Sequence, residues 1–155
     1  MRKPDAVASS ALISIDFESD NGTVPPPYRR SLHIHVDACG NGVVGRQLGY
    51  DLTAPGNRFD TTFTVARDRW VGFAKLVDEL AVFAEDWTRA VDTPTGGPLT
   101  HLTLRRGDTQ VVIPPYPRMP QQELAESVRG AVRELVPEAA VDAYRAWEAA
   151  HGGEE

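Results

Sequence analysis

The fold is decided by the stretch "SLHIHVDACGNGVVGRQLGYDL", residues 31–52, in whose first eight residues apolar and polar side chains alternate. Leu32, Ile34 and Val36 fall on one side of an extended chain, and His33 and His35 fall on the other. The turn "CGNG" and a second strand-like run follow, which is the pattern of a β-hairpin. Because only one side of the first run is apolar, the stretch predicts an antiparallel sheet with one covered face and one face in water.

Six strands are predicted around this hairpin. The run "ALISIDFE" (11–18) alternates like "SLHIHVDA" (31–38), and "VVGRQLGYDL" (43–52) and "FDTTFTV" (59–65) are typical of strands in their composition. Later, "LTHLTLRR" (99–106) and "TQVVI" (109–113) flank a Gly-Asp pair, which predicts a second tight hairpin.

The period changes from two to 3.6 residues at "ARDRWVGFAKLVDELAVFAEDW", residues 66–87, which predicts an amphipathic helix capped by Asp68. A second helix is predicted from about Gln121 to Val136, and a third begins at Pro137, since proline suits the first turn of a helix. The element order is therefore ββββαββαα. This order predicts a two-layer α+β fold, in which two or three helices cover one face of a mostly antiparallel sheet of about six strands.

The chain of 155 residues fits one domain, which we expect to span residues 9–150, between a flexible leader at residues 1–8 and a flexible tail at residues 151–155. The net charge of −6 argues against nucleic acid and anionic membranes as partners, and no apolar run is long enough to span a membrane. The N-terminus lacks the features of a signal peptide, and a single cysteine suits a reducing cytoplasm. Fourteen of the sixteen basic residues are arginine, which is typical of a GC-rich genome such as that of an actinobacterium.

The histidines of the opening stretch allow two interpretations. In the simpler one, His33 and His35 lie on the solvated face of an ordinary strand and no cofactor is bound. In the alternative, they share a zinc ion with His101, with Asp37 as a fourth or outer group, which predicts a zinc-binding protein or a zinc hydrolase. That arrangement requires the strand of His101 to lie beside the strand of His33 and His35.

The only cysteine, Cys39, is a weak candidate nucleophile. His35 lies four residues upstream on an extended strand, about 13 Å away, which is too far for a hydrogen bond. Only His101 or His151 remains as a possible base, and no motif places either of them near Cys39. The sequence thus leaves enzymatic activity open but favours its absence, and we expect no catalytic residues.

Three loops rich in proline and aromatic residues are the candidate contact surface for a partner protein. They lie around Pro25 to Tyr28, Trp87 to Pro98 and Pro114 to Met119. Prolines pre-order a loop and so lower the entropic cost of binding. The sequence therefore favours a non-enzymatic protein-interaction domain of undetermined oligomeric state. The candidate partner-binding residues are Tyr28, Trp87, Tyr116 and Arg118.

The pattern as a whole resembles that of small bacterial α+β domains that include emfourin, a proteinaceous inhibitor of protealysin-like metallopeptidases. The segments that carry the resemblance cover about residues 11–136. The resemblance implies a peptidase inhibitor, and a toxin-neutralising (immunity) protein is the other concrete form of the interaction hypothesis. The helix after Pro137 and the proline-rich loop depart from that pattern. The resembling segments are "SIDFES", "FTVARDRWVGFAKLVDELAVFAEDW", "LTHLTLRRGDTQVVI" and "LAESVRGAVRELV".

Overall fold

A computed structural model of the protein describes residues 13–22, 29–49, 57–92 and 98–151. The predicted leader, most of the predicted tail and Tyr28 lie outside these residues. His151, the first residue of the predicted tail, is the last residue of a helix.

The described chain contains one six-stranded sheet with three helices on one of its faces, in the predicted order ββββαββαα. The strands lie in the order β4-β3-β2-β1-β5-β6, and every neighbouring pair is antiparallel. This confirms the predicted two-layer α+β class. The strands are β1 (Ile13–Asp20), β2 (Arg30–Val36), β3 (Asn41–Leu48), β4 (Arg58–Thr64), β5 (Leu99–Arg106) and β6 (Thr109–Ile113), and the helices are α1 (Arg67–Glu79), α2 (Met119–Arg133) and α3 (Glu138–His151).

The two-residue rhythm of β2 places its side chains as predicted. Ile34 and Val36 are buried on the covered face, while His33 and His35 lie partly exposed on the open face. The covered face of the central strands forms a dry core against α1 and α2, because apolar side chains of both layers lose their contact with water there. Side chains at the centre of this core include Ile15, Phe17, Leu102, Leu104, Val77 and Val128.

Helix α1 is shorter than its sequence predicts and is not capped by Asp68. The N-cap residue is Ala66, which makes no side-chain capping bond, and Asp68 lies inside the first turn, where its carboxylate accepts the N–H of Arg69. The helix ends at Glu79, because Ala81 adopts a left-handed conformation with φ 53°, and a 3₁₀ turn (Val82–Ala84) follows. Within the described residues, none of the helices has the length and apolar character needed to cross a membrane.

Candidate functional site

The three histidines of the zinc hypothesis all belong to the open face of the sheet, but their strands are not neighbours. His33 and His35 lie on β2, His101 lies on β5, and β1 runs between these strands. Glu18 of β1 is the register partner of His33 on one side and of His101 on the other. The backbones of His33 and His101 are thus two strand spacings apart, about 10 Å. A three-histidine site required β2 and β5 to be neighbouring strands, and they are not.

Two acidic groups near these histidines, Asp16 and Asp37, make local contacts. His35 and Asp16 are direct cross-strand partners, and their Nδ1 and Oδ1 atoms lie 2.8 Å apart at the surface. Asp37 accepts the backbone N–H groups of Cys39 and Asn41, at 2.9 and 3.0 Å, and so stabilises the β2–β3 turn. Among the residues that the structure describes, no group of three or more His, Cys, Asp or Glu side chains is placed to hold a metal ion.

Cys39 lies exposed in that turn and lines an open cavity of about 630 Å³, together with Trp70 and Leu135 among others. None of the residues that line this cavity is a histidine. Of the two candidate bases, His101 lies on the open face of β5, and the Nδ1 atom of His151 is hydrogen-bonded to the carbonyl of Trp147. The geometry therefore does not assemble a nucleophile–base pair at Cys39.

Two of the three candidate partner-binding loops meet in the structure. We call residues 88–92 and 114–119 the paired loops. They are joined by a β-bridge between Arg89 and Pro117. The N–H of Ala90 donates to the carbonyl of Tyr116 at 2.8 Å, and the N–H of Arg118 donates to the carbonyl of Thr88 at 2.9 Å. Two segments that are distant in sequence are thus held as a short ribbon. The third loop, around Pro25 to Tyr28, falls in a part of the chain that the structure does not describe.

A buried glutamine of α2 holds the chain that leads into the paired loops. Gln121 is only 1% exposed, and its side-chain amide donates to the carboxylate of Glu85 and to the carbonyl of Asp86, both at 2.7 Å. Its side-chain oxygen accepts the N–H of Thr88 at 3.1 Å. Removing one side chain would therefore leave three polar groups without this partner, and buried polar groups are costly to leave unpaired.

A buried arginine, also on α2, holds the second paired loop from beneath. Arg129 is 6% exposed and donates to the carbonyls of Pro114 and Pro115, at 2.8 and 3.1 Å, while its other terminal nitrogen bonds to Glu126. The hydroxyl of Tyr116 donates to the carbonyl of Pro98. Proline has no N–H to enter a ladder, so side chains supply further bonds to this segment beside the two backbone bonds of the ribbon. A groove of about 370 Å³ lies among these residues.

The predicted contact residues differ in their exposure. Trp87 is partly buried against the core and donates its indole N–H to the carbonyl of Val82, so the structure uses it for packing. Arg118 is exposed and lies 3.8 Å from the carboxylate of Glu85. Two apolar residues that the sequence did not single out are far more exposed, Val91 at 99% and Met119 at 75%.

Sequence reasoning also missed Gln121 and Arg129, although a signal for them existed. Both lie four residues from Ala125, one on each side, and Ala125 is fully buried in the stripe of α2 that faces the core. Residues four apart share one face of a helix, so the spacing places two polar side chains at core positions. A polar residue at such a position needs internal partners, which here are the backbone of the paired loops and of the segment before them, together with the carboxylates of Glu85 and Glu126.

Comparison with known proteins adds no relative: no protein-family model matches the sequence, and no curated protein is significantly similar to it.

Proposed function

We propose that this protein is a non-enzymatic interaction domain that binds another protein through the paired loops. One observation carries the proposal. Two loops that are distant in sequence are hydrogen-bonded to each other and to buried side chains of α2, yet they carry exposed apolar side chains. Within the described residues, three large apolar side chains are exposed, and two of them, Val91 and Met119, belong to the paired loops.

Rigidity and exposed apolar surface together favour binding. Gln121 and Arg129 order the loops before any partner arrives, which lowers the entropy lost on association. Burial of Val91 and Met119 against a partner would then contribute on the order of 1.5–3 kcal/mol for each side chain. Arg118 and Arg89 flank these apolar residues, as polar groups commonly rim an interface.

Two concrete forms of this activity are peptidase inhibition and toxin neutralisation. Both require a stable protein contact and no chemistry by the chain itself. The pre-ordered loops support either form, and the emfourin-like sequence pattern supports the first. We also propose a cytoplasmic location, which the single cysteine favours, and no nucleic acid as partner, which the net charge of −6 favours.

Photo-crosslinking tests the proposed surface directly. A photoreactive amino acid replaces Met119 in one variant and the exposed Arg145 of α3 in a matched control, and each variant is irradiated in lysate of the source organism. We expect one dominant adduct of defined mass from position 119, and none of that mass from position 145. A lysate that yields no adduct at position 119, or the same adducts at both positions, contradicts the proposal.

Variants of the same surface provide the quantitative test. Met119→Glu and Val91→Glu should each weaken binding of the crosslinked partner at least tenfold, because a charge replaces an apolar contact, while Arg145→Glu should leave the affinity unchanged. The inhibitor form is tested with a protealysin-like metallopeptidase and a peptide substrate. Wild-type protein should inhibit hydrolysis, and Met119→Glu should raise the inhibition constant at least tenfold. Unchanged hydrolysis excludes inhibition of that enzyme class.

A further inference from the structure

The strand β6 lies at one edge of the sheet and carries the third exposed large apolar side chain of the described residues. β6 is the last strand in the sheet order, and it pairs with β5 on one side only. Val112 is 49% exposed; it lies between Val111 and Ile113, whose side chains face the core, so its own side chain projects from the open face of the sheet. The strand "TQVVI" contains no charged residue and no proline, the features with which proteins commonly block an edge. The opposite edge strand, β4, carries Arg58 and Asp60, which form an ion pair there.

The β5–β6 hairpin determines which backbone groups face outward. Arg106 and Thr109 are register partners across the two-residue turn Gly107-Asp108, in which Gly107 has φ 59°. The residues that close such a turn form a hydrogen-bonded pair, and hydrogen-bonded and non-hydrogen-bonded pairs then alternate along the ladder. The N–H and C=O groups of Gln110 and Val112 therefore point away from β5. Within the described residues, neither makes a backbone hydrogen bond outside the ladder.

The outward N–H and C=O groups of Gln110 and Val112 can pair with the same groups of a second copy of the chain. If a second copy of β6 approaches antiparallel with Val111 on the two-fold axis, Gln110 of one copy faces Val112 of the other, and the reverse. Each of these two pairs can exchange two backbone hydrogen bonds, which makes four bonds in all. Because the strand is uncharged, no like charges meet across the axis.

We propose that β6 is a self-association edge, through which two copies of this chain pair antiparallel and join their sheets into one continuous twelve-stranded sheet. The contact is isologous, as expected of a two-fold dimer. It lies outside the paired loops, and it does not depend on the function proposed for them. Pro114 and Pro115 follow β6 and limit the pairing to five residues. Because the contact is short, we expect a weak dimer that forms only at high protein concentration.

Sedimentation equilibrium of the full chain over a wide concentration range tests the proposal. The weight-average mass of wild type should rise from 17.0 kDa for one chain towards twice that value. Gln110→Lys/Val112→Lys places lysines opposite each other across the axis, and Gln110→Glu/Val112→Glu does the same with glutamates. Each double variant alone should associate at least tenfold more weakly than wild type. An equimolar mixture of the two should regain the dimer, because opposite charges then face each other.

Thr62→Lys/Thr64→Lys is the matched control, since both threonines are exposed and lie on the other edge strand, β4. It should dimerise like wild type. Val112→Pro is a second variant that should prevent pairing between copies. It leaves the pairing with β5 intact, because the N–H that it removes points away from β5. Circular dichroism should therefore show the native fold, while the dimer should be lost. Wild type that stays monomeric at every concentration overturns the proposal. Lysine and glutamate variants that still dimerise alone, or that fail to dimerise when mixed, also overturn it.

Discussion

The covered face of the sheet is packed in two different ways on its two halves. Under α1 and α2, the strands β1, β2 and β5 contribute aliphatic and aromatic side chains with no exposure at all, such as Ile15, Phe17 and Leu104. Under α3, the strands β3 and β4 meet the helix through aromatic rings and charges. Ala140 is the one residue of α3 that is buried.

The contacts of α3 are specific, but the side chains that form its charged pair keep some exposure to water, 20% for Arg46 and 16% for Glu148. Trp147 stacks on Phe59 with ring centroids 5.7 Å apart, and Glu148 accepts a hydrogen bond from Arg46 at 2.7 Å. The Nε atom of Arg46 is buried without a partner among the described residues. A buried apolar side chain contributes about 1.5–3 kcal/mol, whereas an ion pair that is partly in water contributes about 0.2–1 kcal/mol. From this comparison we expect stability to be concentrated in the half beneath α1 and α2, and we expect α3 to open first.

The largest expected effect on stability comes from the half of the sheet beneath α1 and α2. Phe17→Ala should lower the free energy of unfolding by about 3–5 kcal/mol, because it leaves a cavity beneath α1 and α2 where Phe17 is fully buried. Urea denaturation followed by circular dichroism measures this loss. Val91→Ala is the matched control, since Val91 is almost fully exposed, and it should change the free energy by less than about 0.5 kcal/mol. A loss below about 1 kcal/mol for Phe17→Ala would contradict the assignment of the core.

A smaller effect is expected from the aromatic contact of α3. Trp147→Ala should cost about 2 kcal/mol, because it removes the stack on Phe59 and the ring contact with His151. Hydrogen exchange should quicken in α3 and β4 while β1 and β5 keep their protection. Trp147→Phe, which retains a ring, is the control and should lose less than half as much. Equal loss of protection in all strands would show that the two halves unfold as one unit.

The smallest effect is expected from the charge contact. Glu148→Gln keeps the size of the side chain but removes the charge that faces Arg46 and Arg30, so it should cost about 1 kcal/mol at low salt. The difference from wild type should shrink as sodium chloride is raised, because salt screens a partly exposed pair. Asp142→Asn neutralises an exposed acid of the same helix and serves as the control. A difference that does not depend on salt would mean that Glu148 acts through packing alone.

Much of the fold was predictable, because the spacing of apolar residues along the chain indicates which side of a strand or helix is buried. The strands "LTHLTLRR" and "TQVVI" occupy the predicted residues 99–106 and 109–113, and His33 and His35 lie on the open face as their alternation predicts. The end of α1 was predicted wrongly. The helical spacing of apolar residues continues past Glu79, so the sequence pattern does not indicate that the helix ends at the left-handed residue Ala81.

The candidate site was less predictable than the fold. Proline-rich loops pointed to residues 114–119, but the bridge from Arg89 to Pro117 joins segments 28 residues apart, and no local pattern encodes such a pairing. The sequence predicts Trp87 as a contact residue because it precedes a loop; in the structure it is partly buried, and its indole N–H donates to the carbonyl of Val82. Val91 and Met119 were overlooked because sequence alone does not report that an apolar side chain stays in water.

By itself, the sequence determined the class of fold, the faces of the strands and the order of the elements, since each of these depends on neighbours within one or two turns of chain. Only the tertiary structure decided that β1 lies between β2 and β5, which separates His101 from His33 and His35. Only the tertiary structure joined the paired loops above Gln121 and Arg129. The physical reason is that strand order and loop pairing minimise the free energy of the whole packed chain, so residues far apart in sequence decide them together.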